Sequence, residues 1–289
     1  MAILVDENTR VIIQGITGTY ARNQTALMKA YGTKIVAGIS PGKTGMEVHG
    51  IPVYSTIFEA AKHHTFDASV VYVPPAFTKE AVLEAIENGV RLVVIATEGV
   101  PVHDTMFFRR MAEKRGVWIV GPNSIGIISP GKGLLGSLAP SHALPGRVGL
   151  ISRSGTMSIE FLQIFFSYGI GISTAIGIGG DAVIGKNPVD YLRLFAEDVE
   201  TEAVVLLGEI GGTKEIEAAD LVRTMTKKVF CFIAGSSAPP GKRMGHIGAI
   251  MYSDQENAGT KKQVLASAGA IVAETPWELA ERLREYLDQ

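Results

Sequence analysis

The segment Lys242, Arg243, Met244, Gly245, His246, Ile247, Gly248, Ala249 sets one histidine between glycines, just after two basic residues. Small neighbours leave an imidazole room to move and to be reached. With an ordinary pKa of about 6.5, much of it is unprotonated near neutral pH, which makes it a nucleophile. A phosphorylated imidazole is in turn a reactive phosphoryl donor, so such a histidine can relay phosphate between two substrates. The relay needs a group that holds the other ring nitrogen and offsets positive charge. Glu209 lies between Gly208 and the pair Gly211 and Gly212, at the end of an apolar run, and is the candidate. The competing readings are a buried histidine hydrogen-bonded in a loop and a carboxylate serving a helix cap. His49, His63, His64, His103 and His142 stand in polar or loop surroundings and read as solvated or structural.

Two further segments have the composition of anion cradles. Gly15, Ile16, Thr17 and Gly18, with Ala21, follow the first apolar strand and open a helix. Glycine lets backbone approach a ligand closely, and unpaired N–H groups at a helix start favour phosphate. The bland reading is a close strand–helix turn. A NAD site would want an acidic residue after the second strand to bind a ribose hydroxyl. That strand ends instead in Ile39, Ser40, Pro41, Gly42 and Lys43, and a lysine suits a phosphate. CoA is one phosphorylated adenosine ligand that fits; an ordinary exposed loop lysine is the alternative. The second cradle is Ser152, Arg153, Ser154, Gly155 and Thr156, where simple N-capping by Ser154 or Thr156 competes with anion binding. It is not the nucleophile elbow of a hydrolase. No Cys/His spacing matches a zinc site, and the strings Pro41-Gly42-Lys43 and Pro130-Gly131-Lys132 lack the full phosphate-loop spacing. A consumed nucleotide would therefore sit on another chain.

The elements that position these residues repeat as strand, glycine turn, helix. RVIIQGITG, KIVAGISPGK, ASVVYVPPAF, RLVVIATEGV and GVWIVGPNS read as strands, with FTKEAVLEAIENG and HDTMFFRRMAEKRG as helices between them. Short apolar strands alternating with amphipathic helices predict a parallel sheet covered on both faces. The fold class is α/β: a Rossmann-like domain over 1–129, then a flavodoxin-like, doubly wound domain over 130–289. The Pro-, Gly- and Ser-rich segment 129–147 reads as the linker. In the second half RVGLISRSG, GISTAIGIGG, AVVLLGEIGG, KVFCFIAGSS and GAIVAE read as strands. SGTMSIEFLQIFFSYG, NPVDYLRLFAED, KEIEAADLVRTM and PWELAERLREYL read as helices. The 289 residues carry a formal net charge of −2 with no basic stripe, which argues against nucleic acid. No apolar run approaches the roughly 20 residues of a membrane span. The start lacks a secretory pattern, and the single cysteine, Cys231, permits no internal disulfide. These features suit the cytoplasm or an organelle matrix such as that of mitochondria.

At these motifs the chain resembles the α subunit of succinate–CoA ligase, nearly end to end. The blocks that carry the resemblance are QGITG, SPGKTG, YVPP, ATEGVP, GPN, ISPGK, ISRSGT, GIGGD, GEIGGT and IAGSSAPPGKRMGHIGA, in that order. Malate–CoA ligases, ATP-citrate lyase and citryl-CoA synthetase share the pattern. The resemblance implies a first domain that binds CoA through Thr17, Gly18, Thr19 and Tyr20, with Lys43 near its phosphates and Ala96, Thr97 and Glu98 lining the site. It implies phosphorylation of His246, oriented by Glu209, with phosphate held at helix N-termini that include the one after Ser154. Ser154, Gly155, Thr156 and Ile159 would face phosphate or acid substrate, and no resident metal is implied. A separate β subunit with an ATP-grasp domain, in an αβ or α2β2 assembly, would bind ATP or GTP with Mg2+. The implied reaction joins succinate and CoA with consumption of NTP. The chain also departs from the pattern. The family turn T-G-S-Q-G-T-F-H reads here Thr17, Gly18, Thr19, Tyr20, Ala21, Arg22, Asn23, Gln24; the family tyrosine on the acid is Ile159; the family cysteine after G-P-N is Ser124, followed by Ile125. Those changes keep open another acid such as malate or citrate. They also keep open a CoA-binding regulatory module without phosphohistidine, and an NAD(P)-binding Rossmann protein.

Overall fold

The computed structural model describes residues 3–239 and 241–289. Its first half runs β1 (Arg10–Gln14), α1 (Thr19–Tyr31), β2 (Lys34–Ile39), β3 (Glu47–Val48), β4 (Ile51–Tyr54), α2 (Ile57–Ala60), β5 (Ala68–Val71), α3 (Pro75–Glu87), β6 (Leu92–Ile95), α4 (Val102–Arg115) and β7 (Trp118–Val120). The second half runs β8 (Gly126–Ser129), β9 (Gly133–Gly136), β10 (Pro145–Ser152), α5 (Gly155–Ser167), β11 (Ile172–Gly177), α6 (Pro188–Glu197), β12 (Ala203–Glu209), α7 (Lys214–Glu217), α8 (Ala219–Thr224), β13 (Lys228–Ala234), α9 (Ala258–Ser267), β14 (Ile271–Ala273) and α10 (Pro276–Leu287). None of the described helices is long and apolar enough to cross a membrane.

The strands form two seven-stranded sheets, ordered β3-β4-β2-β1-β5-β6-β7 and β14-β13-β12-β10-β11-β8-β9. Without its antiparallel edge strand β3, the first sheet has the Rossmann order, reversing direction of growth between β1 and β5. The five parallel strands of the second have the flavodoxin order and reverse between β10 and β12. At such reversals the loops after the two neighbouring strands diverge to opposite faces and leave a crevice at their C-terminal ends. Strand composition follows from burial: β12 is buried along its whole length and is apolar until its last residue, Glu209. A strand covered on both faces by helices has no solvent side, so a charge at its end faces the crevice.

Sequence patterning places most elements, passes over β3, β4, α2 and α9, and misreads two segments. Residues 129–147 are not a linker. β8 and β9 form an antiparallel hairpin that extends the second sheet beyond β11, and β10 already begins at Pro145. The chain passes between the sheets across residues 121–125 instead. The hairpin's glycines serve close packing: a Cβ on Gly136, whose φ is +126°, would lie 2.5 Å from the Ile125 carbonyl oxygen, and one on Gly126 would collide with the Leu135 carbonyl. The single helix expected over KEIEAADLVRTM is broken into α7 and α8 at Ala218, with Glu215 turned fully into the interior.

Gly126→Ala combines a φ of +101° with a backbone collision, so it is expected to cost about 2 kcal/mol or more of stability. Thermal and urea denaturation read this directly. Wild-type stability in that variant would contradict the hairpin pairing.

Candidate active site

The crevice between β10 and β12 holds the histidine picked out from the sequence. Glu209 caps the buried end of β12, and its carboxylate accepts the Nδ1 hydrogen of His246 at 2.8 Å (Oε2) and 3.0 Å (Oε1). The histidine side chain is 27% exposed and the carboxylate 8%. With Nδ1 engaged, Nε2 is the nitrogen left for chemistry. The ring lies against Gly180, the second glycine of GIGGD: a Cβ there would fall 2.6 Å from Cγ and 2.8 Å from Nδ1. Glycine at 180 is therefore a steric requirement of the imidazole. The loop is tied down beside it, because Gly248 N–H donates to the Gly180 carbonyl at 3.1 Å.

A buried ion network stands behind Glu209. Arg153, 2% exposed, donates to Glu215 at 3.2 Å and to the Gly211 carbonyl at 2.9 Å, and its guanidinium lies 3.4 Å from Glu209 Oε1. Lys261 is fully buried and donates to Glu215 at 2.7 Å and to the carbonyls of Glu209 (2.7 Å) and Gly211 (2.9 Å). Two cations thus face two carboxylates and the strand-end carbonyls. Removing one member of such a set strands a buried charge, typically at a cost of about 3–5 kcal/mol. The SRSGT motif by itself assigns Arg153 no role, and Glu215 and Lys261 give no local signal, since the opposite charges they meet lie 46 and 62 residues away. Burial works against the charge on Glu215 and Arg153; their mutual attraction wins, holding the Glu215 carboxyl below and the Arg153 guanidinium above their ordinary ranges.

The histidine's pKa is raised, chiefly by the hydrogen bond to Glu209. Partial burial and the Arg153 charge oppose this, and the charge of Glu98 adds to it. Asp181, buried beside the ring, has its pKa raised by desolvation. Lys214, whose ammonium holds the Asp181 and Ala182 carbonyls, is pushed down to about 8, by desolvation first and then by Arg153.

The other expected residues divide between two places. Ser154 caps α5 by accepting the Met157 N–H at 3.3 Å, so that reading holds locally; Gly155 packs on Ile125 and Thr156 is exposed on the first turn. α5 starts from the strand beside β12, which puts its N-terminus on the histidine's crevice. Ile159 is half-buried one turn further on. In the first sheet, Thr17 and Gly18 line a cavity of about 930 Å3 at the β1/β5 reversal, with Gly15, Pro41, Gly42, Tyr72 and Pro74. α1 opens there with no side-chain cap and no acidic residue in its first turn, and Gly15 has a φ of +80° with backbone of Tyr72 3.2 Å from where its Cβ would be. Free helix N–H groups over a glycine cradle suit a phosphorylated ligand of CoA size. Thr19 begins α1, and Tyr20 leans edge-on against Tyr72 while its hydroxyl meets Ser137 at 2.8 Å. Lys43 stands exposed in the turn after β2. Ala96, Thr97 and Glu98 follow β6; Thr97 Oγ1 donates to the carbonyl of Val73, a cavity residue, and Glu98 is the member of this group whose charge reaches His246. Among the described residues no cluster of metal-ligating side chains exists.

The two halves match two families: residues 6–99 the CoA binding domain and residues 151–271 the CoA-ligase. Over 288 residues the chain is 48% identical to succinate–CoA ligase [ADP-forming] subunit alpha 1 of Archaeoglobus fulgidus, covering 100% of this chain and 99% of that one. The chain belongs to the succinate–CoA ligase α-subunit family. Malate–CoA ligase subunit alpha of Methylorubrum extorquens is 42% identical over 293 residues, across 99% of each chain. Among solved structures, ATP citrate lyase of Methanosaeta concilii in complex with (3S)-citryl-CoA matches with a TM-score of 0.93 at 26% identity. That match covers 99% of this chain, which spans only 50% of the citrate lyase.

The Glu209–His246 pair has a defined pH signature. A pKa raised in the folded state means the pair's stabilisation is complete below the unfolded value of about 6.5 and is lost as pH rises through the folded value. Glu209→Gln is expected to bring the His246 titration down toward the ordinary value and to flatten the stability profile above pH 6.5. An NMR titration of the His246 ring protons reads this. An unchanged titration would show that the carboxylate does not hold the ring.

Proposed function

We propose that this chain is the catalytic α subunit of a nucleotide-dependent carboxylate–CoA ligase that joins succinate to CoA, with His246 Nε2 as the phosphoryl carrier. The observation that carries the reading is the Glu209–Nδ1 pair, which leaves Nε2 free in the β10/β12 crevice beside the N-terminus of α5. Glu209 fixes the tautomer, so that the lone pair sits on Nε2 and attacks the terminal phosphorus of NTP as NDP leaves. The carboxylate then faces the charge that the phosphorylated ring carries. N–H groups at the start of α5 hold the phosphoryl oxygens. Transfer to the acid gives an acyl phosphate and returns the neutral imidazole; attack by the CoA thiol gives the thioester and inorganic phosphate. CoA, when bound in the cavity of the first domain, supplies that thiol. Thr17, Gly18 and the free N–H groups of α1 would hold its phosphates, Lys43 would neutralise them, and Thr97 and Glu98 would line the path toward the histidine.

The chain carries no phosphate loop of its own, so the nucleotide, ATP by likeness to the ADP-forming relatives and GTP otherwise, with its Mg2+, belongs to a β subunit with an ATP-grasp domain. A cytoplasmic αβ or α2β2 assembly completes the proposal. Malate or citrate is the second reading for the acid. It is supported by the apolar Ile159 where a hydrogen-bonding tyrosine would stand, and by the malate–CoA ligase relative.

The test is incubation of the αβ complex with γ-labelled ATP. The α chain is expected to take up base-stable, acid-labile label, and His246→Asn to take up none. Equal label in the variant would remove His246 from the reaction.

A further inference from the structure

The loop between the two sheets carries a residue whose contacts reach both halves of the site. Asn123 is one of three non-glycine residues with positive φ, at +56°, among those described. Its N–H donates to the Thr97 carbonyl at 2.9 Å. Its carbonyl accepts the Gly180 N–H at 3.4 Å. Its side-chain Nδ2 donates to Asp181 Oδ1 at 3.1 Å. Thr97 is hydrogen-bonded to the cavity residue Val73, and Gly180 is the surface on which the His246 ring rests. One asparagine therefore links the wall of the first-domain cavity to the floor beneath the imidazole. The left-handed backbone turns its N–H and carbonyl toward different sheets, and asparagine is one of the few side-chain-bearing residues that tolerates it.

We infer that Asn123 is a positioning residue for the thioester-forming step: it fixes the imidazole floor against the CoA-side loop, so that a phosphorylated His246 discharges to an acid held next to the thiol. This rests on the phosphohistidine reading above. Displacement of reacting groups by about 1 Å costs on the order of 100-fold in rate, so a single bond at such a junction is a large lever. Asp181 is the anchor that Asn123 grips. The groups facing its carboxyl are Asn123, Glu98, His246 and Lys214, whose ammonium also holds the Asp181 carbonyl.

The substitutions Asn123→Gly and Asn123→Asp separate this role from a structural one. Glycine adopts the positive φ without strain and keeps both backbone hydrogen bonds, losing only the contact to Asp181. Aspartate puts a second carboxylate about 3 Å from Asp181, and two carboxylates that close share a proton once pH falls far enough. In the αβ complex, His246 is first labelled from γ-labelled ATP, and discharge to succinate and CoA is then followed in a single turnover across pH. For Asn123→Gly the expected result is normal labelling, a CoA KM within about twofold of wild type, and discharge slower by about 10- to 100-fold at every pH. For Asn123→Asp the ratio to the wild-type rate is expected to rise as pH falls, because the shared proton restores a hydrogen bond to Asp181. Asn123→Gly discharging at the wild-type rate, or a pH-independent ratio for Asn123→Asp, would overturn the inference while leaving the phosphohistidine reading intact. Absence of label on wild-type His246 would overturn both.

Discussion

A carboxylate set at the buried end of a central strand, in hydrogen-bond contact with an imidazole, is the constraint around which the second domain is arranged. Taking such a charge out of water costs several kcal/mol, which attraction repays only with good geometry and with partners for the remaining lone pairs. Here Arg153 lies 3.4 Å from Glu209, Glu215 holds Arg153, and Lys261 holds Glu215 and the Glu209 carbonyl. The same network fixes the backbone of the strand end, so the direction of the Glu209 side chain is set from behind. What remains for Glu209 to do in front is to hold Nδ1, and this decides which nitrogen can react.

Two sheets of different order solve a common problem in the same way. Each places its glycine-bearing turn at the reversal of strand order, where neighbouring loops part and helix N-termini point into the gap. At β1/β5 the turn has room over its glycines and an uncapped helix start, which suits a phosphorylated ligand. At β10/β12 the helix start is capped by Ser154, and the gap is filled by the His246 loop resting on Gly180. The proposed division of labour, with CoA in the first crevice and phosphoryl transfer in the second, rests on what lines each crevice.

Much of this was legible from residue order, because the pieces that can be read are local. His246 and Glu209 declared themselves by standing between glycines at the ends of apolar runs, and the Gly15–Gly18 turn by following a strand. The supporting network was not legible. Arg153, Glu215 and Lys261 meet only in the folded chain, and a buried lysine has the same sequence appearance as an exposed one. Asn123 gives no signal within GPN, because the side chain it holds, Asp181, lies 58 residues away. The linker reading of 129–147 fails because a Pro-, Gly- and Ser-rich composition also suits a close-packed hairpin, in which Gly136 and Gly126, just ahead of the segment, let backbones touch. The signal that would have found the hairpin was present: the apolar runs GIIS and GLLG flank a short Pro-Gly-Lys turn. Lys43 and Ile159 have positions in the fold but no contact that assigns them a role.

The central claim is that Glu209 commits Nδ1 and leaves Nε2 as the phosphoryl carrier. Nitrogen NMR of the phosphorylated αβ complex, with isotope-labelled histidine, measures this directly. The account requires phosphate on Nε2 of His246 and a proton on Nδ1. Phosphate on Nδ1, or on a different residue, would contradict it.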